Sequence, residues 1–256
     1  MDFLTKTYGC KLVIGCLTAT VTLPLSISIS SVSAVTPNEV GGVSGLTTVS
    51  FEPPPRKDAP RGGTAGGGSR SDMLSCSSSI QARTKTLTAL TPGKHVGLSH
   101  ERRPVLYVYL PKTNAKVAEF SIYDEKMNGV YQTDISVENS KGFIAIKLPS
   151  VLSLVKNQPY YWSFALACNP EDRTSDMVVG GWIEYTQLSQ DLQNKLIKAN
   201  SVERISLYAQ NGYWYDAVAT VMELQQKEPH NSQLAQTWTE LLTSVGLSLN
   251  IVATAN

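Results

Sequence analysis

Tyr160, Trp162, Phe164, Leu166 and Cys168 occupy alternate positions of the run Pro159-Tyr-Tyr-Trp-Ser-Phe-Ala-Leu-Ala-Cys168. Successive side chains of an extended chain point to opposite faces, so these residues share one face, the mark of a half-buried strand. The other face, Tyr161, Ser163, Ala165 and Ala167, is small and mixed. After the turn-forming cluster Asn169-Pro-Glu-Asp-Arg-Thr-Ser-Asp176 comes a second apolar run, Met177-Val-Val-Gly-Gly-Trp-Ile-Glu-Tyr185, which can return antiparallel to the first. These two strands are the expected centre of a sheet. Gly180-Gly181 would weaken an ordinary strand, so the pair marks a bulge or a close approach of another backbone.

The stretches before this pair repeat the pattern. Leu87-Thr-Ala-Leu90 opens the folded part, and Thr91-Pro92-Gly93 is a turn signal. Val105-Leu-Tyr-Val-Tyr-Leu110, apolar on both faces and closed by Pro111, reads as a central strand. Ala118, Phe120 and Ile122, then the turn-rich Asp124–Gly129, then Tyr131, Thr133, Ile135 and Val137 read as a hairpin. Ile144, Ile146 and Leu148 add another strand. Six or seven short strands separated by turns predict an Ig-like antiparallel β-sandwich over residues 76–186.

Past Tyr185 the period changes to that of a helix. Leu188, Leu192, Leu196 and Ile197 form one set, and Val202, Ile205, Tyr208 and Ala209 another, with Ser201 as N-cap and Gly212 as breaker. Trp214, Ala217, Val218, Val221 and Leu224 mark a third helix stopped by Pro229, and Leu234, Trp238, Leu241, Leu242 and Val245 a fourth. Tyr208, Gly212, Trp214, Ala217, Val221, Leu224 and Pro229 lie at the offsets of a single tetratricopeptide-type hairpin. One such hairpin cannot form the groove that repeat arrays use for peptides, so packing is its expected role. The predicted class is α+β, with a sandwich first and a small helical bundle over 187–248 after it.

Residues 1–34 read as a secretory signal. Lys6 and Lys11 precede the apolar stretch Leu12–Ile29, and Val32-Ser33-Ala34 supplies small residues for cleavage. The alternative is a retained anchor, but Thr18, Thr20, Thr22 and Pro24 dilute the stretch below what a spanning helix needs. Val13-Ile14-Gly15-Cys16 is similar to a lipoprotein box, with Lys11 too close for a full apolar region. Residues 35–75, with Glu52-Pro-Pro-Pro55 and Arg61-Gly-Gly-Thr-Ala-Gly-Gly-Gly-Ser69, read as a disordered linker.

Cleavage would remove Cys10 and Cys16 and leave Cys76 and Cys168, an even pair in an oxidising compartment and hence a candidate disulfide; two separate buried thiols are the alternative. A formal charge of +1 argues against nucleic acid as a partner. Candidate interaction residues are few. Tyr213, Trp214 and Tyr215 could stack on a sugar or fill a core. Asp172, Arg173 and Asp176, with Glu171 and Asn169, form an acidic loop that matches no calcium motif. His95, His100 and His230 show no zinc spacing, no Gly-x-Ser-x-Gly occurs, and no cofactor motif is present. The leading expectation is therefore a non-catalytic binding or assembly module of the periplasm or cell exterior, its partner an envelope protein or glycan, with no stable membrane span after cleavage. The rival is an envelope hydrolase acting on glycan or peptidoglycan through carboxylates such as Glu119, Asp172 or Glu184.

Taken together, Leu87-Thr-Ala-Leu90, Arg103-Pro104 entering an aromatic strand, Tyr161-Trp162-Ser-Phe164 with Cys168-Asn-Pro-Glu-Asp-Arg173, Gly181-Trp182-Ile183, and Ala209-Gln-Asn-Gly-Tyr-Trp-Tyr-Asp-Ala217 resemble a cyanobacterial family of exported proteins, the domain of unknown function DUF928. The resemblance runs from about Leu87 to Leu247. It implies an envelope protein and brings no catalytic, cofactor or binding residue with it.

Overall fold

In the computed structural model the alternating run forms β7 (Pro159–Leu166) and the second apolar run forms β8 (Met177–Tyr185), paired antiparallel from Pro159↔Glu184 to Leu166↔Met177. The structure describes residues 48–55, 76, 86–169 and 171–247. These all fall within one compact unit, Leu46–Asn256. The signal-peptide reading of 1–34 and most of the linker reading lie outside the described residues.

Before β7 come β1 (Thr88–Ala89), β2 (Val96–Ser99), β3 (Val105–Leu110), β4 (Val117–Tyr123), β5 (Gly129–Ser136) and β6 (Gly142–Lys147). They make a three-stranded sheet, β1-β3-β6, and a five-stranded sheet, β2-β8-β7-β4-β5. β7 is thus the middle strand of the larger sheet and β3 the middle strand of the smaller. The β4–β5 turn is organised by Asp124, whose carboxylate accepts from the backbone amides of Lys126 and Asn128.

Two features depart from the sequence reading. β7 is buried on both faces, not half-buried. Tyr161 packs against Trp182 with ring centroids 5.4 Å apart, in a small cluster with Val96, while Trp162 and Phe164 face the main core. The second departure corrects the all-antiparallel expectation: β2 pairs parallel with β8, Val96 opposite Trp182 and Ser99 opposite Tyr185. Many residues separate the two strands, enough chain to bring β2 to the free edge of β8 in the same direction.

Gly180 and Gly181 mark a close approach and not a bulge, since the β7–β8 register is unbroken across them. A methyl at Gly180 would strike the carbonyl of Trp162, and one at Gly181 the side chain of Thr91.

Four helices follow: α1 (Gln190–Lys198), α2 (Ser201–Gln210), α3 (Trp214–Lys227) and α4 (Ser232–Ser244). Asn200, not Ser201, caps α2. Its side chain accepts from the Glu203 amide at 2.9 Å while the Glu203 carboxylate accepts from the Asn200 amide at 2.9 Å, a reciprocal box. Gly212, at φ +81°, makes the left-handed turn into α3 that a side chain would oppose. Sheets and helices share one continuous core. Trp162 Nε1 donates to the Tyr215 hydroxyl at 2.9 Å, and that hydroxyl donates to the Trp182 carbonyl at 3.1 Å, so α3 is bonded to the middle of the larger sheet.

The disordered-linker reading is corrected at 48–55. Val49 and Phe51 are buried, and the segment lies against the helices. The amides of Val49, Phe51 and Glu52 donate to Glu240 Oε2, Ser244 Oγ and the Ala209 carbonyl at 2.9, 3.1 and 3.0 Å. Phe51 meets Trp214 edge-on at 5.4 Å. Two well-placed apolar residues outweigh the prolines beside them once a groove exists to receive them.

Candidate functional site

The loop that leaves β2 carries Ser99-His100-Glu101-Arg102-Arg103 into β3. Its conformation is set from α3. Asp216 lies in the first turn of that helix, and its carboxylate accepts from the Ser99 hydroxyl and the His100 amide, both at 3.0 Å. The His100 ring places Nδ1 2.9 Å from Asp216 Oδ1, with Nε2 3.4 Å from Glu101 Oε1. The imidazole also stacks on Tyr208 of α2, centroids 5.5 Å apart and planes 12° from parallel. Asp216 is buried, whereas the His100 side chain keeps 29 % of its surface. The Asp216 carboxylate beside the ring raises the His100 pKa above its ordinary 6.5, against the opposing effect of burial.

His100 stands at the edge of a cleft of ≈ 650 Å³. One wall is Glu101, Arg102, Arg103 and Val105; Lys147 and Leu148 form another; Ser150 and Ser153 form a third. The sheet explains their meeting. Val105 is paired with Lys147 at the end of the β3–β6 ladder, and the Leu154 amide donates to the Arg102 carbonyl at 2.9 Å, drawing the 150–154 loop alongside. Arg102 lies over the Tyr185 ring, 5.8 Å from its centroid. Among the described residues no carboxylate is ion-paired with Arg102, Arg103 or Lys147. Among the described residues, three basic side chains therefore line this cleft against one carboxylate, that of Glu101, in a chain whose formal charge is only +1. Such a concentration favours an anion.

The residues singled out from the sequence lie elsewhere. Tyr213, Trp214 and Tyr215 are 6 %, 0 % and 2 % exposed, with their polar atoms bonded inside the protein, so in this arrangement the rings fill the core and present no stacking surface. Burial pushes the Tyr213 hydroxyl up to about 12, helped by Asp216, and raises that of Tyr215 further. Asp172 caps the 3₁₀ turn Arg173–Ser175 through the Thr174 amide at 3.0 Å. Arg173 bridges Asp176 and, at 3.5 Å, Glu119. That loop is an internally paired network. Cys76 and Cys168 come together with Cα atoms 4.8 Å apart and sulfurs at disulfide distance.

Of the carboxylates of the hydrolase alternative, Glu119 and Glu184 are not assembled as a catalytic pair. Glu119 registers with Ala165 and Glu184 with Pro159, six positions apart along β7. At about 3.3 Å per residue they stand roughly 20 Å apart, beyond the roughly 5 to 10 Å that glycosidic carboxylate pairs use. No spacing motif marks the His100–Asp216 pair, whose members are 116 residues apart. Ser99-His100-Glu101-Arg102-Arg103, a polar run between two apolar stretches, was the only local sign.

Among the described residues, two sheets and four helices around one core define an α+β protein, with a basic cleft where the loop after β2 meets the end of β6. The chain matches the family model described as Domain of Unknown Function (DUF928) over residues 65–255, and it belongs to that family. No curated protein and no solved structure matches it.

Proposed function

We propose that this chain is an exported, non-catalytic binding or assembly module of the cell envelope, and that it engages an anionic envelope protein or glycan at the cleft between His100 and Lys147. The observation that carries the reading is the gathering of Arg102, Arg103 and Lys147, none ion-paired among the described residues, around one cavity whose loop is clamped from behind by Asp216. A clamped loop presents its cations with less ordering entropy to lose on binding. Export is supported by the signal-like N-terminus and by a cysteine pair at disulfide distance. Among the described residues no helix is long and apolar enough to cross a membrane. The same reading takes the two sheets as an Ig-like sandwich and α2–α3 as a tetratricopeptide-like hairpin that serves packing.

Two measurements test it. Fractionation of cells expressing the full chain is expected to recover it outside the cytoplasm, shortened at its N-terminus. The purified protein is expected to be retained on an immobilised acidic polysaccharide and to pass through a neutral one, with the double substitution Arg102→Glu and Arg103→Glu abolishing retention. Cytoplasmic recovery, or equal retention on both matrices, contradicts the proposal.

A further inference from the structure

Resting on that reading of the cleft, we infer that the anion it takes is a tetrahedral oxyanion, a phosphate or sulfate ester, in preference to a planar carboxylate. Residues that carry donors line the cleft from three separate pieces of chain: Arg102 and Arg103 on the loop before β3, Lys147 at the end of β6, and Ser150 and Ser153 on the loop beyond. A carboxylate holds its lone pairs in one plane, and a single arginine fork reaches both of its oxygens. A phosphoryl or sulfuryl group turns three oxygens in three directions, and donors converging from separate walls can saturate it. The mixture of forked, point-charge and hydroxyl donors suits that second geometry. A hydroxyl also accepts, so Ser150 or Ser153 can bridge the ester oxygen to the body of the ligand.

The dimensions agree. A cavity of ≈ 650 Å³ exceeds what one oxyanion occupies and falls within the range of small-molecule sites, leaving room for a sugar or a short peptide beside the charged group. His100 closes one end, fixed by Asp216 of α3 and Tyr208 of α2, with Glu101 on its own loop. The single carboxylate of the cleft, Glu101, is drawn toward the His100 ring at 3.4 Å.

The experiment compares three ligands that share one sugar: glucose 6-phosphate, glucose 6-sulfate and glucuronate, each titrated into the full-length protein by calorimetry. Glucose 6-sulfate and glucuronate both carry one negative charge, so a difference between them reports geometry and not charge. The sulfate ester is expected to bind about ten-fold more tightly than glucuronate. Substituting Ser150→Ala and Ser153→Ala together is expected to erase that difference, and Arg103→Ala with Lys147→Ala to weaken all three, with circular dichroism unchanged. Whichever of phosphate and sulfate binds more tightly names the source, and either result supports the inference. Glucuronate binding as tightly as the sulfate ester, or more so, overturns the inference and leaves the anionic cleft standing. Failure of all three to bind, together with loss of retention on acidic polysaccharide, overturns both.

Discussion

Asp216 holds His100 at two points: its Oδ2 accepts from the His100 backbone amide at 3.0 Å, and its Oδ1 lies 2.9 Å from the ring Nδ1. Through this contact the first turn of α3 fixes the loop that carries Arg102 and Arg103. Asp216→Ala would strand the Ser99 hydroxyl and the His100 amide together with the ring. Leaving a buried donor without its acceptor typically costs about 1 to 3 kcal/mol. Urea unfolding of the variant is expected to show a loss of that order; a midpoint within error of the wild type would mean the clamp is not holding the fold.

The same pair makes stability depend on pH. Because the folded His100 pKa is raised above the ordinary 6.5, the charged ring contributes stability that is fully present below 6.5 and is lost as pH rises through the folded value. Proton NMR of the His100 ring is expected to give a midpoint above 6.5, and Asp216→Asn to move it back down. A midpoint at or below 6.5 in the unsubstituted protein contradicts the arrangement.

Cys76 and Cys168 close a loop 92 residues apart in sequence. Linking residues that far apart stabilises a fold by about 4 to 5 kcal/mol on the chain-entropy model, often less in practice. Alkylation of the protein without reductant is expected to leave both cysteines unlabelled, and Cys76→Ser with Cys168→Ser to lower the melting temperature. Ready labelling of either thiol would show that the pair is not bridged.

Phe51 anchors the N-terminal segment against Trp214, with His95 beside it at 6.4 Å. Phe51→Ala is expected to destabilise the protein by about 3 to 5 kcal/mol, the usual range for a buried phenylalanine. Faster hydrogen exchange in α4, where Glu240 and Ser244 hold the segment, should accompany the loss. A change below about 0.5 kcal/mol would show that the segment is dispensable to the core.

Gly180→Ala places a methyl against the Trp162 carbonyl in the middle of the larger sheet. Overpacking against side chains typically costs about 1 to 3 kcal/mol, and backbone yields less than a side chain does. The variant is expected to express as largely insoluble protein, while Gly129→Ala, with open space around it, is expected to behave as wild type. Equal solubility of the two variants would contradict the close β7–β8 packing.

Where residue periodicity carried the signal, the fold was legible. β7 announced itself through Tyr160, Trp162, Phe164 and Leu166, and α3 through Trp214, Ala217, Val218 and Val221, because each element turns a periodic set of large apolar side chains toward the main core. β2 was not legible: Val96-Gly-Leu-Ser99 is four residues long, and Gly97 replaces a side chain where the Tyr215 ring comes close. The docking of Val49 and Phe51 was masked by Pro53, Pro54 and Pro55, since composition registers stiffness and cannot register a distant groove. The cleft was the least legible part. Arg103 and Lys147 meet only because β3 and β6 pair, a relationship between strands that neither strand's own pattern contains.

The cleft's preference for anions is tested most directly by titrating an acidic polysaccharide into the full-length protein at rising salt, beside the Arg102→Glu, Arg103→Glu variant. Affinity in the unsubstituted protein is expected to fall steadily with ionic strength and to be lost in the variant even at low salt. Affinity indifferent to salt, or unchanged by reversing the two charges, would contradict the assignment of this cleft as the binding site.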